Sequence, residues 1–272
     1  TQVETQSRMA IYKSWMPHVH VDFHEMGYDD SYYFAPAAEP FHDIITDWQR
    51  DFQTKIGKNH AKYFDKEGWL YFTKESFDLL YPSYGDTYPT FMGAIGMTYE
   101  QAGHGRAGLG IKTDEGEILT LKDRALHHLT TGLSTVEISS QNAEQLNKEF
   151  KRFFDNKDLT YKSFVIKNNN PDKMERLIHL LDKHEITYGN ATNTSVKGII
   201  YGTQKESKLQ ATSDDLVIPT DQPKGKMVQV LFEPKATLVD SLTYDITAWS
   251  LPYAYGMEAV ASTTALEYKE YK

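Results

Sequence analysis

The sequence predicts an α/β fold in two parts: a mixed sheet with helices, then a second, smaller α/β domain. Three observations predict it. Residues 18–23 alternate polar and apolar side chains with a period of two, the mark of a strand with one face toward a core. Residues 40–62 and 119–154 carry apolar side chains at the 3.6-residue period of amphipathic helices. Beyond the polar stretch DNKDLT (155–160), a strand-like run, a helical run and further strand-like runs follow one another.

The elements follow in order. Residues 4–16 (ETQSRMAIYKSWM) place Met9, Tyr12 and Met16 on one helical face, and Pro17 stops the helix. In the strand that follows, Val19, Val21 and Phe23 point one way and His18, His20 and Asp22 the other. Phe41, Ile44, Ile45, Trp48 and Phe52 mark a second helix over 40–62. Residues 76–90 (SFDLLYPSYGDTYPT) hold two prolines and a Gly-Asp pair and read as loop. The apolar run FMGAIGMTY (91–99) reads as a buried strand, and 119–154 as a long helix in two pieces around Gly132. A domain boundary is expected at 155–160, separating 1–155 from 160–272. In the second part, YKSFVIK (161–167) reads as a strand. PDKMERLIHLLDKHE (171–185) reads as a helix with Pro171 in its first turn, and VKGIIYG and DDLVIP as further strands.

Composition narrows the function classes. Of the 272 residues, 40% are hydrophobic and 25% charged, which is enough apolar material for a sizeable core and argues against disorder. A net charge of −9 gives no electrostatic reason to bind nucleic acid or anionic lipid. No apolar run approaches the roughly 18 residues of a membrane span. The absence of cysteine excludes disulfides, thiolate metal ligands and a cysteine nucleophile, and leaves the compartment open. The 18 tyrosines, many of them within 28–90, suit either an aromatic core or loops that grip sugars or peptides. A chain that begins at Thr1 rather than Met is expected to have lost upstream residues.

Ligands of open α/β sheets bind outside the carboxyl ends of strands. The first strand ends at His24-Glu25, and the later one at Glu100 in GAIGMTYEQAG. A neutral imidazole is a good zinc ligand, and a glutamate beside a catalytic zinc serves as general base. HEMGY is not the helical His-Glu-x-x-His motif, since position 28 is Tyr. His20 shares a strand face with His24, as a second ligand or as a histidine buried behind the site. The plainer alternative for His24 and Glu100 is satisfaction by neighbouring hydrogen bonds. Gly103-His-Gly105-Arg-Ala-Gly108 matches a dinucleotide fingerprint, but that fingerprint needs a helix directly after it. LGIKTDEGEI follows instead, so the glycine run reads as a loop beside the site, with Arg106 available to meet substrate.

Taken together and in this order, HVDFHEMG, YYFAPAAEPFH, YPSYGDTYP and GAIGMTYEQAG resemble the second half of a zinc carboxypeptidase catalytic domain, of the subfamily found in large bacterial proteins. The resemblance covers about residues 1–155. It implies a partial carboxypeptidase-like mixed sheet, with His24 as the third zinc ligand and Glu100 as the general base. A loop tyrosine between them would close over the substrate. Tyr84 is the first candidate and Tyr81 the second, and the spacing leaves both open. It further implies a zinc cofactor, a peptide or amino-acid-derived substrate with a free carboxylate, and a secreted or periplasmic setting.

The departures are equally specific. The family's first two zinc ligands come from a His-x-x-Glu motif and its carboxylate clamp from an Asn-Arg pair; neither occurs in these 272 residues. His179-Leu-Leu-Asp182 comes nearest and reads as a solvated helix face. The expectation is therefore truncation: the missing amino-terminal part of the same protein would carry those groups, and this chain alone would be inactive. A non-catalytic binding module derived from a carboxypeptidase is the other reading. Residues 160–272 loosely resemble the glutamine-amidotransferase-like domain that follows the peptidase in some of these proteins. Without cysteine that domain lacks the usual nucleophile and reads as accessory. Its aromatic stretch, EPKATLVDSLTYDITAWSLPYAYGMEA (233–259), is either a ligand- or partner-binding surface or an aromatic core closing the domain.

Overall fold

A computed structural model of the chain describes residues 2–239, 243 and 249–270. Backbone contacts divide the chain into two compact units. One comprises Met16–Lys151, accompanied by Leu238, Val239 and Thr243; the other comprises Arg152–Thr237, the first helix and residues 249–270. The aromatic stretch 233–259 falls partly outside the described residues, at 240–242 and 244–248.

Helix α1 (Val3–Trp15) forms where the period places it, but none of its residues is fully buried. It groups with the later unit rather than with the residues that follow it. There Lys13 Nζ donates to the Lys183 carbonyl at 2.7 Å and pairs with Glu185 at 2.9 Å.

The Met16–Lys151 unit is built from β1 (Val19–Glu25), β2 (Tyr32–Tyr33), β3 (Ala38–Phe41), α2 (Asp47–Glu67), β4 (Tyr71–Phe72), β5 (Asp78–Leu79), α3 (Thr87–Phe91), β6 (Ile95–Gln101), β7 (Ile111–Lys112), β8 (Ile118–Leu119), α4 (Leu121–Gln141) and α5 (Ala143–Phe153). Its main sheet has the order β1-β6-β2-β4. β1 runs parallel to β6, while β2 is antiparallel to β6 and parallel to β4, so the sheet is mixed. Ile95, Met97 and Tyr99 of β6 join Tyr32, Phe52, Ile56 and Phe64 in one core, with Val19 and Val21 packed against it. Period-two geometry therefore turns Gly96, Thr98 and Glu100 to the other face of β6, and His20, Asp22 and His24 to the other face of β1.

Several expected boundaries move. Thr46 caps α2 through a reciprocal capping box with Gln49, so this helix begins at Asp47, and 38–41 is a strand paired with β5. The 76–90 loop contains β5 and the short helix α3. The apolar run 91–99 is split: its first residue closes α3 and the strand starts at Ile95. The long carboxyl-terminal helix passes straight through Gly132 and breaks at Asn142, whose side-chain amide donates to the Ile138 carbonyl at 2.7 Å. A helical glycine costs only about 1 kcal/mol relative to alanine. Here a Cβ at Gly132 would stand 3.5 Å from the Phe23 ring, an ordinary contact. Phe23, expected to be buried, is 47% exposed, although it makes edge contacts with Tyr99 and His128.

Buried amides anchor β6. Gln49 Nε2 donates to the Thr90 and Ala94 carbonyls, each at 2.9 Å, and Gln53 Nε2 to the Gly96 carbonyl at 2.9 Å. Beneath the strand, His60 lies 2.7 Å from Ser134 Oγ through Nδ1 and 2.8 Å from the Tyr99 hydroxyl through Nε2. Burial holds its pKa down at about 3, so the ring is neutral at pH 7.

The second unit contains β9 (Ser163–Ile166), α6 (Pro171–Lys183), β10 (Gly189–Ala191), β11 (Thr194–Ile200), β12 (Lys205–Ala211), β13 (Leu216–Pro219), α7 (Gly225–Phe232), α8 (Leu251–Tyr255), β14 (Ala259–Ser262) and β15 (Tyr268–Glu270). The seven strands run in the order β12-β11-β14-β9-β13-β10-β15. Every pairing is antiparallel. Because β9 and β10 both run antiparallel to the strand between them, they are parallel to each other, and α6 makes a split βαβ crossover. Among the described residues of both units, no helix is long and apolar enough to cross a membrane.

Candidate functional site

The register of β1 on β6 decides what meets at the carboxyl end of the sheet. Parallel pairing aligns Val19 with Ile95 and so brings His24 level with Glu100. Both side chains leave the sheet on the face away from α2 and α4, and His24 Nδ1 lies 3.8 Å from Glu100 Oε1. The other ring nitrogen, Nε2, lies 3.2 Å from Asp22 Oδ2, two residues back on the same face of β1. The imidazole is thus bracketed by two carboxylates. A proton on Nε2, facing Asp22, leaves the Nδ1 lone pair directed toward Glu100.

These groups line a recess of about 80 Å³ together with Tyr84, Gly85, Asp86 and Thr98. Glu100 is only 5% exposed, and its Oε2 is buried without a hydrogen-bond partner among the described residues. Burial raises the Glu100 pKa to about 7; the nearby His24 opposes the rise, and the negative charges of Asp22 and Asp86 add to it. Asp86, 6% exposed, is raised to about 6, chiefly by burial. Hydrogen bonds from the Thr98 hydroxyl and the Thr87 amide work against that rise.

Two glycines make room for this packing. A Cβ at Gly85 would fall 1.7 Å from Asp22 Oδ2, so only glycine lets the aspartate reach the imidazole. A Cβ at Gly96 would fall 2.0 Å from the Asp86 carbonyl oxygen, so glycine admits the turn that carries Asp86.

Of the residues singled out from sequence, His24, Glu100 and Tyr84 share the recess, Tyr84 being 38% exposed at its rim. Tyr81 and Arg106 do not line it. The Arg106 guanidinium sits over the Tyr28 ring at 4.2 Å. His20 pairs with Gly96, four residues before His24. At ~3.3 Å per residue it stands ~13 Å away along the strand, too far to share an ion with His24. Gly103 and Gly105 take the positive φ values of 109° and 75° in the loop before β7, and the buried Arg124 donates to the Gly103 carbonyl at 3.1 Å and to the Ala107 carbonyl. No helix follows the glycine run, so the dinucleotide fingerprint lacks its phosphate-binding element.

Sequence reasoning missed Asp22, Gly85, Asp86 and Thr98. Alternation already placed Asp22 and Thr98 on the faces of His24 and Glu100, and that signal was available. The Gly85-Asp86 pair carries only a turn signal, and its approach to Asp22 is a tertiary contact.

The residues present fit a metal in part. His24, backed by the Asp22 carboxylate, suits one imidazole position with its supporting acid, and Glu100 suits a base with an uncommitted oxygen. Among the described residues no three His, Asp or Glu side chains form a group able to hold a metal ion. Searches against protein-family models, curated proteins and solved structures each find no match to this chain.

Proposed function

We propose that this chain contributes one zinc ligand, His24, and the general base, Glu100, to a metallocarboxypeptidase that hydrolyses peptide or amide bonds near a free carboxylate. The observation that carries this reading is the pairing of His24 with Glu100 at the ends of adjacent parallel strands, 3.8 Å apart, with one Glu100 oxygen buried and uncommitted. A carboxyl group with a pKa near 7 is poised to take a proton from an attacking water and return it to a leaving amine. Asp22 fixes the imidazole and favours its Nε2–H form. Tyr84, at the rim, holds the substrate. Zinc, when bound, supplies Lewis-acid polarisation of the scissile carbonyl. Since a catalytic zinc normally has three protein ligands, the other two and the carboxylate clamp come from polypeptide outside these 272 residues.

In an assembly that supplies the remaining zinc ligands, Glu100→Gln is expected to retain zinc and lose turnover, while His24→Ala loses zinc. Full turnover in the Glu100→Gln protein would refute the role of Glu100.

A further inference from the structure

β1 is an outer strand of its sheet: it pairs with β6 on one side and with no described strand on the other. The Ile95 amide donates to the His18 carbonyl at 2.9 Å and the Met26 amide to the Gln101 carbonyl at 3.0 Å, so the even-numbered residues of β1 bond to β6. The N–H and C=O groups of Val19, Val21, Phe23 and Glu25 therefore face the open edge. Outer strands are usually protected against further pairing by shortness, a bulge, proline or lysine. β4, the other outer strand of this sheet, has two residues, and β12 of the other unit carries Lys205, Glu206 and Lys208. β1 runs for seven residues in unbroken register, with no proline, bulge or lysine.

The helix layer beside this edge is apolar and uncovered. Phe23, on the helix-facing side of β1, meets the His128 ring at 5.1 Å, and a Cβ at Gly132 would stand 3.5 Å from it. His128 and Gly132 thus mark the flank of α4 that turns toward the open edge. The helical period places Leu129 and Val136 next to that flank and Leu133 next to them. These three side chains are between 56% and 66% exposed, and with the half-exposed Phe23 they form a contiguous apolar stripe of the kind that marks an interaction surface. A lone peptide strand would satisfy the β1 backbone and leave the α4 stripe in water. An occupant that covers both carries an apolar helix in the layer above its strand.

A second copy of this chain carries both, and β1 is complementary to itself in one register. With the odd-numbered residues bonding outward, a symmetric antiparallel pair centres on one residue near the middle of the strand. Centring on Asp22 sets that carboxylate opposite its own copy, and centring on Phe23 sets Val21 opposite Glu25. Centring on Val21 sets His20 opposite Asp22 on one face and Val19 opposite Phe23 on the other, so imidazole meets carboxylate and apolar meets apolar. We infer that two copies of this chain associate by antiparallel pairing of β1 about a two-fold axis at Val21, which joins their sheets and lays the two α4 stripes against each other. The pairing spans residues 19–23 and stops short of His24. The inference does not depend on the reading of His24 and Glu100.

The test is sedimentation equilibrium of the 272-residue chain across a concentration series. The expected result is reversible association to twice the 31.2 kDa chain mass and no further. Leu129→Lys/Leu133→Lys, at exposed positions, and His20→Asp, which sets two carboxylates opposite each other, should each raise the dissociation constant at least tenfold. Far-ultraviolet circular dichroism checks that the variants fold, and if His20→Asp does not, the double lysine variant stands alone. The chain has no cysteine, so Val21→Cys reports the register. Residues paired there would have Cα atoms about 5.5 Å apart, within disulfide reach, so two copies should cross-link on mild oxidation, and Ser207→Cys on β12 should not. A chain that stays monomeric at every concentration would hand the edge to a different polypeptide and overturn the inference. Association unchanged in Leu129→Lys/Leu133→Lys, or cross-linking through position 207 in place of 21, would overturn it as well.

Discussion

Replacing His60 with glutamine tests the buried support beneath the candidate site. In the folded chain this ring is fully buried, and its pKa is about 3, against an ordinary 6.5. The folded state therefore binds fewer protons than the unfolded state whenever the pH lies between those values. Stability from this group is complete above pH 6.5 and is lost as the pH falls toward 3. The full shift corresponds to about 5 kcal/mol, of which about 2 kcal/mol is gone by pH 5. At ~2–4 °C per kcal/mol, that is a fall in Tm of roughly 4–8 °C between pH 7.5 and pH 5 from His60 alone. His127, held at about 4, adds a similar acid loss in the same unit. Glutamine does not titrate, so His60→Gln should flatten the Tm-versus-pH curve by about one proton's slope. It should also lower Tm at pH 7.5, because the amide cannot match both Ser134 and Tyr99. Scanning calorimetry with near-ultraviolet circular dichroism measures both effects. Parallel curves for the two proteins would refute the claim that His60 is held neutral by burial.

Other outcomes follow from the same geometry. Gly85→Ala places a Cβ against the Asp22 carboxylate, so it should destabilise the chain by about 1–3 kcal/mol and shift the His24 ring resonances, read by thermal melts and NMR. Glu100, with a folded pKa raised to about 7, contributes stability that is present below pH 4.5 and lost as the pH rises through 7. The neutral Glu100→Gln chain should therefore melt higher than the parent at pH 8 and not at pH 4. Tyr84→Phe, at a rim position, should change stability by less than about 0.5 kcal/mol, whereas Tyr99→Phe, which removes the hydroxyl shared with His60 and Thr135, should lose about 1–3 kcal/mol in urea unfolding.

The two strands that carry the candidate site were legible from local pattern. Alternation over 18–23 gives β1 its faces, and the apolar run through Met97 gives β6. Their register was not legible, since it joins residues 76 positions apart. The break at Asn142 was hidden because Gly132 is the stronger local breaker, yet within a packed helix it costs little. The grouping of α1 with the later unit, where Lys13 reaches Lys183 and Glu185, is a tertiary arrangement no local period announces. The later unit's antiparallel pairings were equally hidden: β12 and β15 lie in polar segments that show no clean alternation.

The central claim, that His24 is a zinc ligand beside the Glu100 base in a site this chain only partly supplies, is tested most directly by zinc. The 272-residue chain would be dialysed, its metal content determined by elemental analysis, and zinc then titrated back while the histidine ring nitrogens are followed by 15N NMR and carboxypeptidase activity is assayed. The account predicts sub-stoichiometric zinc after dialysis and no hydrolysis. It also predicts a zinc-dependent shift at His24 Nδ1 that disappears in His24→Ala and persists in Glu100→Gln. Stoichiometric zinc with measurable hydrolysis, or a zinc response confined to other histidines, would contradict it.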